Sequence, residues 1–203
     1  MDTAAIGAQE RQPVVFGVYR DGDNNLDAAQ ERNVTDFVAT TAENPSLKVV
    51  AEDTTSLSRA PFGAGDLRTE SSVIQDGTQH IVRVTGPRDM SSRATLAAFV
   101  AQTLTDKAAD PKFAGAPVWI DLVDHGGGDG GGLEADTSGG FMSMEDIAGA
   151  IQDGKARFCA AHRGADATVT GVVANQCLMA TLGFASGYYT ARLKRPVSRD
   201  EGR

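Results

Sequence analysis

Two residues in this chain have the types and placement to do covalent chemistry together. His125 follows an apolar run in "VWIDLVDHGGGDGGG" (118–132), and Cys177 follows another in "VTGVVANQCLMA" (169–180). A thiol and an imidazole that meet form a nucleophile with an acid–base partner, the pair that acyl-enzyme chemistry uses. Each also has an ordinary reading, since a lone cysteine is commonly a small buried hydrophobe and a histidine beside glycines a loop residue. Placement joins them: both stand just past strand-like runs, and open parallel sheets bind ligands outside the carboxyl ends of their strands. A cysteine that opens a helix also feels the positive end of the helix dipole, which favours the thiolate. The glycines after His125 allow close backbone approach and φ values closed to other residues, so that an N–H can face a developing oxyanion.

Other candidate motifs are weaker. "GGGDGGG" lacks the Lys-Ser/Thr of a phosphate loop, and its glycine spacing is not that of a dinucleotide fingerprint. "DGDNNLD" begins like a calcium loop at Asp21, Asp23 and Asn25, but Leu26 stands where such a loop needs glycine and Arg32 where it needs glutamate. Cys159 and His162 in "CAAH" have no second pair to complete a metal site and read as solvated helix-end residues. His80, alternating with Ile81 and Val82, reads as an exposed strand position.

The elements that must carry the pair alternate between strand and helix patterns. "VVFGVY" (14–19) is a buried-strand candidate, followed by turn residues and an amphipathic segment from about Leu26 to Thr41. "LKVVAED" (47–53) is a second strand, and "LRTESSVIQDGTQHIVRVTG" reads as an inserted hairpin around Asp76-Gly77. "SSRATLAAFVAQTLTDKA" has helical spacing behind a serine cap, and "APVWIDLVDH" is the strongest buried strand. A short helix from Met144 to Gln152, a last strand "TVTGVVANQ" and a helix beginning at Cys177 complete the pattern. The fold class expected is α/β, a mostly parallel sheet with helices on both faces.

Composition bounds the function. With 203 residues, 41% of them hydrophobic, the chain has the content of one domain with a sizeable core. Its 27 acidic against 19 basic residues give a net charge of −8, which argues against a nucleic-acid partner. Two cysteines are too few for a disulfide framework. Residues 1–12 lack the basic start and apolar centre of a signal peptide, and no apolar run approaches the roughly 18 residues of a membrane span. On that basis the chain is expected to be cytosolic or to have lost a leader.

"VYRDGDNNLD", "DHGGG", "ADTSGGFMSMEDIAGAI" and "CLMA" occur in the order and approximate spacing of the clostripain family of cysteine peptidases, relatives of gingipains, legumains and caspases. The resemblance runs from about Val14 to Ala180. It implies a caspase-like three-layer sandwich over residues 13–189, an endopeptidase that cleaves peptides or proteins after Arg or Lys, and a Cys/His dyad. In that scheme Cys177 is the nucleophile, His125 the general acid, and the backbone N–H groups of Gly126 and Cys177 the oxyanion donors. No cofactor is required by the sequence; calcium enters by the resemblance alone.

The chain also departs from the family. Asn175 and Gln176 precede the cysteine where the family reads Asp-Ala, and Gly183 stands where a glutamate commonly follows. The family continues through another strand that supplies an acidic residue to the specificity pocket, whereas here "TARLKRPVSRDEGR" (190–203) reads as a divergent or disordered tail of a C-terminally truncated domain. The alternative function is therefore an inactive, peptidase-like remnant acting as a binding module. Self-processing between His125 and Cys177 is restricted to Lys155, Arg157 or Arg163, because 126–154 contains no basic residue, and "DGKARFCAAHRGAD" reads as an exposed, cleavable segment.

Overall fold

The aliphatic runs become strands and the 3.6-residue patterns become helices in a computed structural model that describes residues 11–22, 27–56, 67–126, 131–135 and 140–176. In chain order the elements are β1 (Val14–Asp21), α1 (Asp27–Glu43), β2 (Leu47–Ser56), β3 (Leu67–Gln75), β4 (Thr78–Thr85) and α2 (Arg93–Ala109). They continue with β5 (Val118–Val123), β6 (Gly132–Ala135), β7 (Gly140–Met142), α3 (Met144–Ala161) and β8 (Gly171–Asn175). Six strands form one sheet in the order β4-β3-β2-β1-β5-β8, and β6 pairs with β7 in a separate two-stranded sheet. β2, β1, β5 and β8 run parallel, while β3 and β4 are antiparallel. The chain moves outward from β1 to β4 and then returns to the other side of β1 for β5. That reversal puts a switch point between β1 and β5, where the carboxyl ends of parallel strands leave a crevice.

Strand alternation assigns the two faces. Val18, Val49, Ala51, Ile74 and Val123 pack with Val34, Phe37 and Val38 of α1 on one side. Val15, Tyr19, Val50, Ile120 and Leu122 pack on the other with Leu96, Phe99 and Val100 of α2 and Ile147, Ile151 and Phe158 of α3. The result is helix, sheet and helix pair, three layers in all, and both apolar surfaces of the central strands are removed from water.

Local chemistry explains most boundaries. Asp76 and Gly77 both have positive φ, 51° and 74°, as a two-residue turn matching strand twist requires. The hairpin expected there is present, and β3 joins it to the main sheet by pairing with β2. Ser143 caps α3: its hydroxyl accepts from the Asp146 N–H at 3.1 Å. Ser92 occupies the cap position of α2 without a side-chain cap bond, and its carbonyl accepts from Thr95 and Leu96 N–H at 3.0 and 3.1 Å.

Two sequence expectations are corrected. The helix expected to end near Gln152 continues to Ala161, so Lys155 and Arg157 lie inside α3 rather than in an exposed connection. Gly154 does not end the helix; it lets α2 approach, since a Cβ there would stand 2.6 Å from Val100 Cβ and 2.7 Å from the Ala97 carbonyl oxygen. Lys155 is itself buried at 8% exposure, and only Arg163 of the three proposed cleavage residues lies beyond the helix. The glycine-rich stretch also re-enters regular structure as β6 and β7, which apolar periodicity did not indicate.

Several buried polar groups on the sheet are paired across elements. Glu52 bonds Arg83 at 3.1 Å, Ser71 at 3.2 Å and Arg88 at 2.5 Å, tying β2 to β3, β4 and the chain that leads into α2. Burial still raises the Glu52 pKa, opposed by Arg88 and Arg83. Tyr19 donates to the Met90 carbonyl at 2.8 Å, and the buried Lys107 holds Asp166 at 2.6 Å.

Candidate active site

β5 and β8 are neighbours in the parallel sheet, with Val123 in register with Asn175. His125 is two residues past Val123 and half-buried, and Asp124 before it is buried. Gly126 pairs with Gly132 in an antiparallel bridge, so the glycine loop closes immediately beyond the histidine. Gly131 has φ +125°, and a Cβ there would collide with the Met142 carbonyl, which explains why a side chain is excluded at the base of that loop. Cys177 lies outside the described residues, as do the helix expected after it and the 190–203 tail. The calcium-like loop is divided in the same way: Asp21 is buried at the end of β1, and Asp23 and Asn25 are outside the described residues.

The two amides that precede the cysteine face opposite sides of the sheet. Gln176 packs against Gly132, where an added Cβ would stand 2.8 Å from the Gln176 Cδ. Its Oε1 and Nε2 are buried without hydrogen-bond partners among the described residues. Asn175 is exposed and lines a cavity of about 240 Å³ with Val18, Asn33, Phe37, Asp121 and Val123.

Asp121 is the functional candidate that sequence reading passed over. It sits inside "VWIDLV" on the face shared by Val123, 5% exposed, with Oδ1 buried and unbonded among the described residues. Burial raises its pKa to about 6, and the Arg20 guanidinium pulls in the opposite direction. Arg20, 2% exposed, bonds Asp53 at 2.7 Å on the same face. An acidic residue breaking the apolar alternation of a central strand was the available indication.

The remaining candidates lie elsewhere. Cys159 is in the last turn of α3 and half-buried; His162 follows the helix, stacks on Phe158 at 4.8 Å and lies 3.4 Å from the Thr105 hydroxyl. His80 is exposed on β4 as expected, but Ile81 and Val82 beside it are exposed as well, so β4 does not alternate there. Among the described residues no group of three or more His, Cys, Asp or Glu side chains is placed to hold a metal ion, and no helix is long and apolar enough to cross a membrane.

No protein-family profile and no curated protein matches the sequence. Solved structures match its fold. One is a secreted C11 cysteine protease from Bacteroides thetaiotaomicron in complex with an irreversible peptide inhibitor, with TM-score 0.61, 12% identity, and coverage of 88% of this chain and 46% of that one. A second structure of a secreted C11 cysteine protease from the same organism, "iotapain", superposes with TM-score 0.56 and 13% identity over 87% of this chain and 49% of that one. The chain has the fold of the C11 cysteine proteases. The C11 fold accounts for the strand order, the helices on both faces and the α/β class expected from the sequence. The chain spans less than half the length of these two solved proteins.

Proposed function

We propose that this chain is a cysteine endopeptidase of the C11 type, with Cys177 as nucleophile and His125 as general acid. The parallel register of Val123 with Asn175 carries the reading, because each candidate follows its strand partner by two residues. In the proposed reaction the Cys177 thiolate attacks the scissile carbonyl, His125 protonates the departing amine, and water hydrolyses the acyl-enzyme. Backbone N–H groups of Gly126 and Cys177 would stabilise the oxyanion. Cleavage after Arg or Lys is the specificity that accompanies this reading, although Asn175 replaces an acidic residue beside the nucleophile.

The test is incubation with an arginyl or lysyl acyloxymethyl ketone followed by intact mass and peptide mapping. One adduct on Cys177, with Cys159 unmodified, supports the dyad. Equal labelling of both thiols, or none, overturns it, and absence of labelling with the fold intact favours the binding-module alternative.

A further inference from the structure

The last two turns of α3 carry an amine and a thiol along one side of the helix. Lys155 and Cys159 are four residues apart, the spacing that leaves about 5–6 Å between Cβ atoms. Lys155 is 8% exposed, whereas Cys159 is half-buried at the margin of the core. A lysine this deeply buried is ordinarily held in an ion pair, as Lys107 of α2 is by Asp166 at 2.6 Å. Lys155 makes no hydrogen bond or ion pair among the described residues, and the carboxylate that acts on it most, Asp166, is already taken by Lys107.

A buried ammonium without a partner keeps its desolvation cost, and loss of the charge relieves it. Burial accordingly lowers the Lys155 pKa, while Cys159 and Asp166 pull it the other way. The neutral amine is a nucleophile, yet its burial denies it direct attack on a bulky electrophile. The half-buried thiol one helical turn further on is the group that such an electrophile meets first. A thiol takes an acyl group from a thioester by exchange, and an amine held beside it receives that group at the high effective concentration of an intramolecular reaction.

We propose that Lys155 is an acyl-acceptor site loaded through Cys159, with an acyl thioester as the donor. In the first step the Cys159 thiolate attacks the thioester carbonyl, a new Sγ–C bond forms, and the donor's thiolate leaves. In the second the neutral Lys155 Nζ attacks the same carbonyl, the Sγ–C bond breaks, and a proton passes from the nitrogen to the departing Cys159 sulfur. An amide remains on Lys155, Cys159 returns to a free thiol, and nothing is oxidised or reduced. The product replaces an unpaired buried charge with a neutral group and leaves Lys107 as the cation bonded to Asp166. The site is independent of the peptidase reading, which uses neither residue.

The experiment incubates the full chain carrying Cys177→Ala, in which Cys159 is the one remaining thiol, with acetyl-coenzyme A in mildly alkaline buffer and follows acetylation by peptide mapping. Lys112, exposed on the connection between α2 and β5, is the internal standard. Lys155 is expected to acetylate about tenfold or more faster than Lys112, and to lose that lead in Cys159→Ser while Lys112 is unchanged. In Lys155→Arg the acetyl group is expected to stay on Cys159 as a thioester that hydroxylamine removes, where in the parent it ends on Lys155 as an amide that hydroxylamine leaves. Acetylation of Lys155 no faster than that of Lys112, or a lead that survives Cys159→Ser, overturns the proposal. So does a Lys155→Arg chain, folded by circular dichroism, that gains no hydroxylamine-labile adduct on Cys159. Where Lys155→Arg does not fold, the Cys159→Ser comparison decides alone.

Discussion

Val123 and Asn175 are register partners at the carboxyl ends of adjacent parallel strands that are hydrogen-bonded to each other. A histidine and a cysteine separated by 52 positions in the chain therefore follow one level of the sheet by the same two residues. This is a property of register, so a one-residue slip of β8 against β5 would break the correspondence and turn every β8 side chain to the other face.

If the dyad operates, peptide hydrolysis disappears in Cys177→Ala and falls by about a hundredfold or more in His125→Ala, the usual scale of lost acid–base assistance. Steady-state kinetics on purified variants check this. Undiminished turnover in Cys177→Ala would assign the activity to another mechanism or a contaminant.

Asp121 makes stability depend on pH in a stated direction. Its folded-state pKa, about 6, lies above the usual 3.8, so between those values the folded chain holds a proton that the unfolded chain has released. Stability thus falls as pH rises through that window, and the penalty is complete above it. Arg20, which lowers the value, stays bonded to Asp53. Asp121→Asn is expected to be more stable than wild type near about pH 8, by up to about 3 kcal/mol, and to differ little near about pH 4. Urea unfolding at the two pH values measures the gap, and a variant less stable at the higher pH would contradict it.

The two glycines inside α3 are expected to respond oppositely to alanine. At Gly149 the nearest atoms to an added Cβ are the guanidinium end of Arg93, 45% exposed and held to Asp153 at 2.8 Å in a surface pair that contributes little, so Gly149→Ala gains about 0.5–1 kcal/mol of helix propensity. At Gly154 it meets Val100 Cβ at 2.6 Å and the Ala97 carbonyl oxygen at 2.7 Å, so Gly154→Ala costs about 1–3 kcal/mol. Denaturant midpoints of the two variants, compared at equal m-value, decide it.

Self-processing, where it occurs between the histidine and the cysteine, is expected at Arg163 alone. Lys155 and Arg157 are held in helical backbone that an extended-substrate site does not accept, whereas Arg163 is exposed just past α3. Terminal sequencing after prolonged incubation should find Gly164 as the only new N-terminus, and none at Ala156 or Phe158. A new terminus at Ala156 that is absent in Cys177→Ala would show that α3 opens on the enzyme.

The amino-acid sequence by itself determined the βα alternation, the Asp76-Gly77 hairpin, the strand that ends before His125 and the fold class. Aliphatic runs, turn dipeptides and helical spacing are local, and each acts through backbone preferences and burial that neighbours in the chain already specify. The extent of α3 was not legible in this way, because Gly154 reads as a breaker until Val100 and Ala97 of α2 are placed against it. Nor was the environment of Asp121, a single acid in an apolar strand whose meaning depends on Arg20, Asn175 and α1, all distant in sequence. Only the tertiary structure decided strand order and register. Those depend on which faces are buried against α1 and which against α2 and α3, a choice made by packing the whole sheet at once.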